Sequence, residues 1–338
     1  MTTCWNIDEH DFPRHGTPQS KLQFVLQYAT LAPSSHNSQP WRFMLAGRQV
    51  TLLADRPRAL PVVDPHDREL TISCGAALMN LCVALAYFGQ GFSIDPFPAD
   101  AEPDVLAVLH MRKDLPAQEA LAHLFHGICA RATNRGPFED APVPPLLCAQ
   151  LAAQAEAEGV TLAAITDAAQ RANVAQLITE ADVAQFADAR FRRELASWIH
   201  GTRSFDGMPG QALGLPDLLG MEAPVAGMIL RTFDVGNGVA ARDSALAAGS
   251  PLLVCLATAQ DRPVDWLCTG MALERVLLWA RLEGYDASYL NQPVEMEYLR
   301  GRLRAMLGLQ DTPQLLLRLG QGLPVDHTPR RPLSEVLL

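Results

Sequence analysis

Only two of the chain's 27 Lys and Arg residues are lysine, Lys21 and Lys113, so an anion bound here must be held by arginine. Two places gather guanidinium groups: Arg131 and Arg135 in "RATNR", and the pair Arg330 and Arg331 in a basic C-terminal tail. Each charge-assisted bond from such a fork is worth roughly 1.5–3 kcal/mol, against about 1 kcal/mol for a neutral one. Spaced i and i+4, Arg131 and Arg135 read more readily, on the residues alone, as charges at a helix C-terminus. A different chemistry lies in "LAPSSHNSQPWRF", residues 31–43, where a proline-bounded loop offers short hydroxyls and an amide. A helix stop with Asx and Ser turns accounts for Ser38 there and leaves the other polar residues without a task.

These groups need elements to carry them. Thr17 and Pro18 form an N-cap and first-turn pair, and Leu22, Val25, Leu26 and Ala29 recur at helical spacing until Pro33 stops the helix. "RFMLAG" and "QVTLLAD" predict a hairpin through Gly47, "ELTISCGAALMNLCVALAYFG" a long buried helix, and "VLAVLHM" a strand. A continuous helix is expected over "QEALAHLFHGICARAT", leading to Asn134 and Arg135. Further helices follow at Pro145 to Gly159, Ala168 to Ala187 and "RFRRELASWIHG". The Gly-, Pro- and Met-rich stretch over residues 203–227 predicts an ordered lid. "PLLVCLATA" predicts a buried strand, "DWLCTGMALERVLLWARLEG" a helix and "PQLLLRLGQG" a last strand.

The two long apolar helices align without gaps. Gly75 matches Gly270, Ala77 matches Ala272, Leu78 matches Leu273 and Gly89 matches Gly284, each pair 195 residues apart. This pattern predicts an internal duplication.

With 338 residues, 49% of them hydrophobic and 19% charged, the chain has the composition of a folded protein with room for a large core. A net charge of −10 argues against nucleic acid or an anionic membrane as partner. Seven scattered cysteines with no C-x-x-C pair fit a reducing, cytoplasmic compartment, and no apolar run is expected to span a bilayer. His123, His126 and Cys129 recur every three residues but lack a fourth ligand at a recognised spacing, so no metal site is expected. "GQG" at 89–91 and "GNG" at 236–238 lack the rest of a dinucleotide fingerprint, and neither a P-loop nor a G-x-S-x-G elbow occurs.

The loop "APSSHNSQPWRF" resembles the P-S-x-x-N-x-Q-P-W signature of the FMN-dependent nitroreductase family, and "RATNRGPF" resembles that family's R-x-[ST]-x-R-x-F segment. "PQLLLRLGQGLPVDHTPRRPLSEVL" is similar to its closing strand and basic tail. The loop precedes the arginine motif here, the reverse of the order in ordinary members. That order, together with the repeated helix, is similar to the Acg-type branch, in which one lid-bearing chain mimics the usual homodimer.

The resemblance implies an α+β nitroreductase-like fold of antiparallel-rich sheets packed with long helices, internally duplicated. It divides into halves at 1–125, with the PSSHN loop, and 126–338, with the arginine motif, lid and tail. It implies one FMN per chain, the reflected site having decayed. Pro33, Ser34, Ser35 and Asn37 would meet the flavin, and Arg131, Ala132, Thr133, Arg135, Arg330 and Arg331 its phosphate and ribityl chain. Ser288, Tyr289, Leu290 and Asn291, in "GYDASYLNQPVE", would lie near its reactive centre. Neither lysine occupies the position from which many members stabilise reduced flavin. The implied activity is ping-pong hydride transfer from NAD(P)H through FMN to a nitroaromatic, quinone or similar small electron acceptor, with no catalytic side chain and a monomeric pseudo-dimer. The rival expectation is a flavin-sequestering protein whose lid prevents turnover.

Overall fold

The computed structural model describes residues 4–99, 102–201, 204–209 and 223–338. Thr17 caps α1 (Pro18–Ala29), its hydroxyl accepting from the Ser20 N–H, and Leu22, Val25, Leu26 and Ala29 point into the core. β1 (Trp41–Ala46) and β2 (Gln49–Ala54) form the hairpin, with Gly47 at φ +60° supplying the left-handed turn. α2 (Arg68–Tyr87), β3 (Gly91–Pro96) and β4 (Val105–Arg112) complete a first antiparallel sheet of order β1-β2-β4-β3. β3 was not expected from the sequence.

The helix expected after β4 is broken into α3 (Glu119–Ala122) and α4 (Phe125–Ala130). The break lets α3 lie on α2 while α4 crosses to the second half, where Gly127 has no side chain to hold it off the Leu278 backbone. Arg131 to Arg135 then run extended, not helical, and Thr133 bridges to Ala287.

The second half opens with α5 (Pro145–Glu156) and β5 (Thr161–Ile165). Four helices follow: α6 (Ala168–Ala187), α7 (Ala189–Ser197), α8 (Ala223–Thr232) and α9 (Gly236–Ala248). β6 (Leu252–Thr258), α10 (Pro263–Leu282), β7 (Asp286–Tyr289), α11 (Gln292–Glu295), α12 (Glu297–Met306), β8 (Thr312–Gly320) and α13 (Leu333–Val336) end the chain. The second sheet has the order β5-β6-β8-β7, the first sheet's order repeated. Of the lid expected over 203–227, residues 203 and 210–222 lie outside the described residues; 204–209 form a strap and 223 onward begins α8.

The duplication is visible at its own axis. α2 and α10 cross where Gly75 meets Gly270: a Cβ on Gly75 would overlap the Leu267 carbonyl, and one on Gly270 would overlap the Ile72 carbonyl. Ile72 and Leu267 are themselves 195 residues apart. Reciprocal contact between equivalent residues is the mark of two-fold symmetry, here inside one chain. Gly89 and Gly284 end the two helices at φ +70° and +83°.

Against expectation, α2 is long and apolar enough to cross a membrane, with mean hydropathy 1.7, but 94% of that stretch is buried within the molecule. Segments before and after the second sheet's strands tie the molecule together. Asn134 N donates to the Ala287 carbonyl at 3.0 Å, and after β8 the chain returns to the first sheet, where Leu338 N donates to the Phe43 carbonyl at 2.8 Å.

Candidate functional site

The loop between α1 and β1 is held in a costly conformation. His36, Asn37 and Gln39 all sit at positive φ, 53°, 53° and 51°, although none is glycine. Such residues cost of order 1–3 kcal/mol each and persist only where their surroundings fix them. Here side chains do so. Ser34 Oγ accepts from the Gln39 N–H at 2.9 Å, Asn37 Nδ2 donates to the Gly207 and Pro329 carbonyls, and Gln39 Nε2 donates to the Phe205 carbonyl at 2.9 Å. Gln39 Oε1 accepts from the Arg331 N–H at 2.8 Å.

One cavity lies beside this loop, between the two halves. The loop contributes Pro33, Ser34, Ser35, His36 and Asn37, and the extended crossing segment contributes Thr133 and Arg135. Ser288, Tyr289, Leu290 and Asn291 line it from the end of β7, and Arg330 from the returning tail. Of the residues expected at the site, Arg131, Ala132 and Arg331 are not among those lining it. Arg131 is buried beside Glu274, 3.5 Å away, and donates to the Leu31 carbonyl at 2.9 Å. Arg331 pairs with Asp55 at 3.0 Å and binds the Gln39 carbonyl, so both arginines brace the strained loop from behind. Neither lysine lines the cavity.

Four guanidinium groups face this space: Arg135, Arg242, Arg318 and Arg330. Arg330 Nη1 donates to Asn37 Oδ1 at 3.0 Å and Nη2 to the Leu31 carbonyl, while the guanidinium lies 4.9 Å from the Trp5 ring. Burial pushes its pKa down to about 9, with Arg131 adding repulsion. Arg318 is 1% exposed, donates to the Asn134 and Gly136 carbonyls, and rests 4.2 Å from the Phe138 ring. Burial and Arg242 push it down to about 10. Burial likewise lowers Arg135. Among the described residues, Arg318 Nε and Nη1 and Arg330 Nε have no hydrogen-bond partner. Buried cationic donors left open beside a cavity suit a phosphate, and the serine-rich loop suits a heterocycle edge, so the residues present fit FMN.

Among the described residues, acids from four elements wall the same cavity: Glu69 of α2, Asp182 of α6, Asp243 of α9 and Glu295 of α11. Ser35 donates to Glu69, and Arg242 pairs with Asp243 at 3.2 Å. Burial, reinforced by Asp243, pushes Asp182 up to about 8. His36 is pushed down to about 4 by burial and Arg135, so its ring is neutral.

The sequence reading missed Arg318, Arg242, the four acids and His36 as site residues. For Arg318 a signal existed: it is the one charge in the run "PQLLLRLG" of a buried strand. The acids gave none, because the cavity draws them from distant elements.

No family model matches the chain. Over 330 residues, 96% of this chain and 92% of the relative, it is 31% identical to Rv3131 of Mycobacterium tuberculosis, a protein provisionally named an NAD(P)H nitroreductase. It is 29% identical over 324 residues to acg of the same organism, also provisionally named an NAD(P)H nitroreductase, covering 93% of this chain and 94% of that one. The solved FMN- and NADPH-dependent nitroreductase NfnB, from Sphigopyxis sp. strain HMH, overlaps 63% of this chain and 96% of its own at 19% identity and a TM-score of 0.40.

Proposed function

Because the chain belongs to the nitroreductase family, we propose that it binds one FMN in the cavity between its halves and passes electrons from NAD(P)H to a nitroaromatic, quinone or similar small acceptor. The observation that carries this reading is the set of buried, unpartnered guanidinium nitrogens on Arg318 and Arg330 beside the serine-rich loop. The two-electron chemistry, ping-pong in order, belongs to the bound flavin, so no side chain is assigned as acid, base or nucleophile.

The chain's own residues bind and exclude. Arg135, Arg318 and Arg330 hold the phosphate, and Asn37 fixes Arg330 through its amide oxygen. Ser34 and Ser288 offer hydroxyls to the polyol and ring, and Ser35, whose proton goes to Glu69, offers an acceptor oxygen. α6, α7 and α9 contribute Phe186, Phe191, Leu195, Val239 and Leu246, an apolar wall that keeps water from the reacting centre. Residues of both halves line the cavity, so one chain suffices to form the site whether or not it associates further.

A second reading has its own support. The strap at 204–208 is tied to the PSSHN loop by Asn37 and Gln39, and Arg58 joins Asp206 and the Ser38 carbonyl. A strap fastened to the loop that lines the cavity suits flavin sequestration. Stopped-flow reduction separates the two. Rapid bleaching by NADPH and reoxidation by an added quinone support the oxidoreductase; bleaching by dithionite but not by NADPH supports sequestration. Purified protein that is colourless and takes up no FMN overturns both.

A further inference from the structure

The N-terminal segment lies ahead of α1, belongs to neither sheet, and has no task in the proposed function. It nevertheless reaches the tail that carries Arg330. Trp5 Nε1 donates to the Thr328 carbonyl at 3.0 Å, and the Cys4 thiol donates to the Arg330 carbonyl at 3.5 Å. The indole has two further partners: the His327 ring stacks on it with centroids 4.1 Å apart, and the Arg330 guanidinium lies 4.9 Å from its centroid. Trp5 does not line the cavity.

Arg330 needs such a neighbour. It is 4% exposed and forms no ion pair among the described residues, the acids behind the loop being held by Arg131 and Arg331. A buried cation without a counter-ion is costly, and an aromatic face offsets part of that cost while leaving every N–H free to donate. Nη1 and Nη2 already donate to oxygens of Asn37, Thr328, Pro329 and Leu31, and Nε has no partner. Thr328 and Pro329 belong to the stretch that Trp5 fastens, so displacing the indole shifts the acceptors of the guanidinium together with its neighbour.

We propose that Trp5 is a positioning residue for the phosphate end of the cavity: it seats Arg330 and so sets how strongly the chain prefers a phosphorylated flavin to one without phosphate. Its role rests on the proposed FMN site and adds to it a residue that meets no part of the ligand. Acting through one guanidinium, Trp5 affects the phosphate and leaves the ring and polyol contacts alone. An aromatic face on a desolvated guanidinium corresponds to roughly 5- to 30-fold in affinity.

The test is flavin-fluorescence titration of the full chain with FMN and with riboflavin. Trp5→Leu is expected to lower FMN affinity roughly 5- to 30-fold and to leave riboflavin affinity unchanged. Trp5→Phe, which keeps an aromatic face, restores most of the preference, and in an Arg330→Ala background Trp5→Leu has no further effect. His327→Ala, at an exposed position, removes the stacked ring and lowers the preference in the same direction by about 2- to 10-fold; it decides the question if Trp5→Leu does not fold. A full preference in Trp5→Leu, equal losses for the two flavins, no rescue by Trp5→Phe, or a loss that persists without Arg330 overturns the inference. A parent chain that prefers FMN while its Trp5→Leu variant does so equally overturns the role of Trp5 alone; a parent that binds FMN no better than riboflavin overturns the phosphate site and this role with it.

Discussion

Each arginine in the motifs answers to its own neighbours. Arg318 and Arg330 line the cavity and hold buried nitrogens without a partner, so Arg318→Ala and Arg330→Ala each weaken FMN binding by about 1.5–3 kcal/mol, roughly 10- to 100-fold in a fluorescence titration. Unchanged affinity in both variants would remove the phosphate assignment. Arg131 is different, being the partner of Glu274 at the core of the molecule. Burial pushes that carboxyl up to about 7 against the pull of Arg131. The folded chain then keeps a proton that the unfolded chain loses near pH 4–5, and this group's contribution to stability falls as pH rises through that window to about 7. Arg131→Ala leaves a lone carboxylate at pH 8, a loss of about 3–5 kcal/mol, and much less at pH 5, where Glu274 holds its proton. Urea unfolding at the two pH values checks this, and adding Glu274→Gln restores most of the loss; equal losses at both values would contradict it. The sequence made the 31–43 loop legible because its residue types are unusual for a turn, whereas the RATNR segment was legible only through its family resemblance, its spacing alone favouring a helix end. It could not separate arginines that face the cavity from arginines that brace it, since that depends on whether a carboxylate from another element lies within reach.

Among the elements, the long helices were the most legible. Nineteen of the twenty α2 residues are buried, and their matched glycines lie where α2 and α10 touch. Gly270→Ala forces a methyl against the Ile72 backbone, which no rotamer change relieves, and costs about 1–3 kcal/mol or more. Gly301→Ala, in α12 with nothing within 4 Å of the added carbon, instead gains up to about 1 kcal/mol from helix propensity. Thermal unfolding of the two variants reads both signs, and a Gly270→Ala protein as stable as the parent would contradict the close crossing. Short or disguised elements were not legible. β5 offers only five residues, two of them alanine, and α9 begins with Gly236 and Gly238, which local propensity reads as a loop. Their order comes from tertiary packing: β5 is completed by β6, and α9 by α6.

At the scale of the whole molecule, one ancestral plan appears twice and has diverged in complementary places. In the first half, the α1–β1 connection is the long strained loop and the β1–β2 connection is Gly47 and Arg48. In the second, the α5–β5 connection is only Ala157 to Val160, while α6, α7 and α9 in the β5–β6 connection wall the cavity. Among the described residues, each half thus supplies what the other lacks. The most direct measurement is equilibrium titration of the chain with FMN and with riboflavin, which lacks the phosphate. Saturation at one FMN per chain, with riboflavin bound at least about 100-fold more weakly, is the result expected of a single arginine-held site. Two FMN per chain, none, or equal affinity for riboflavin would contradict it.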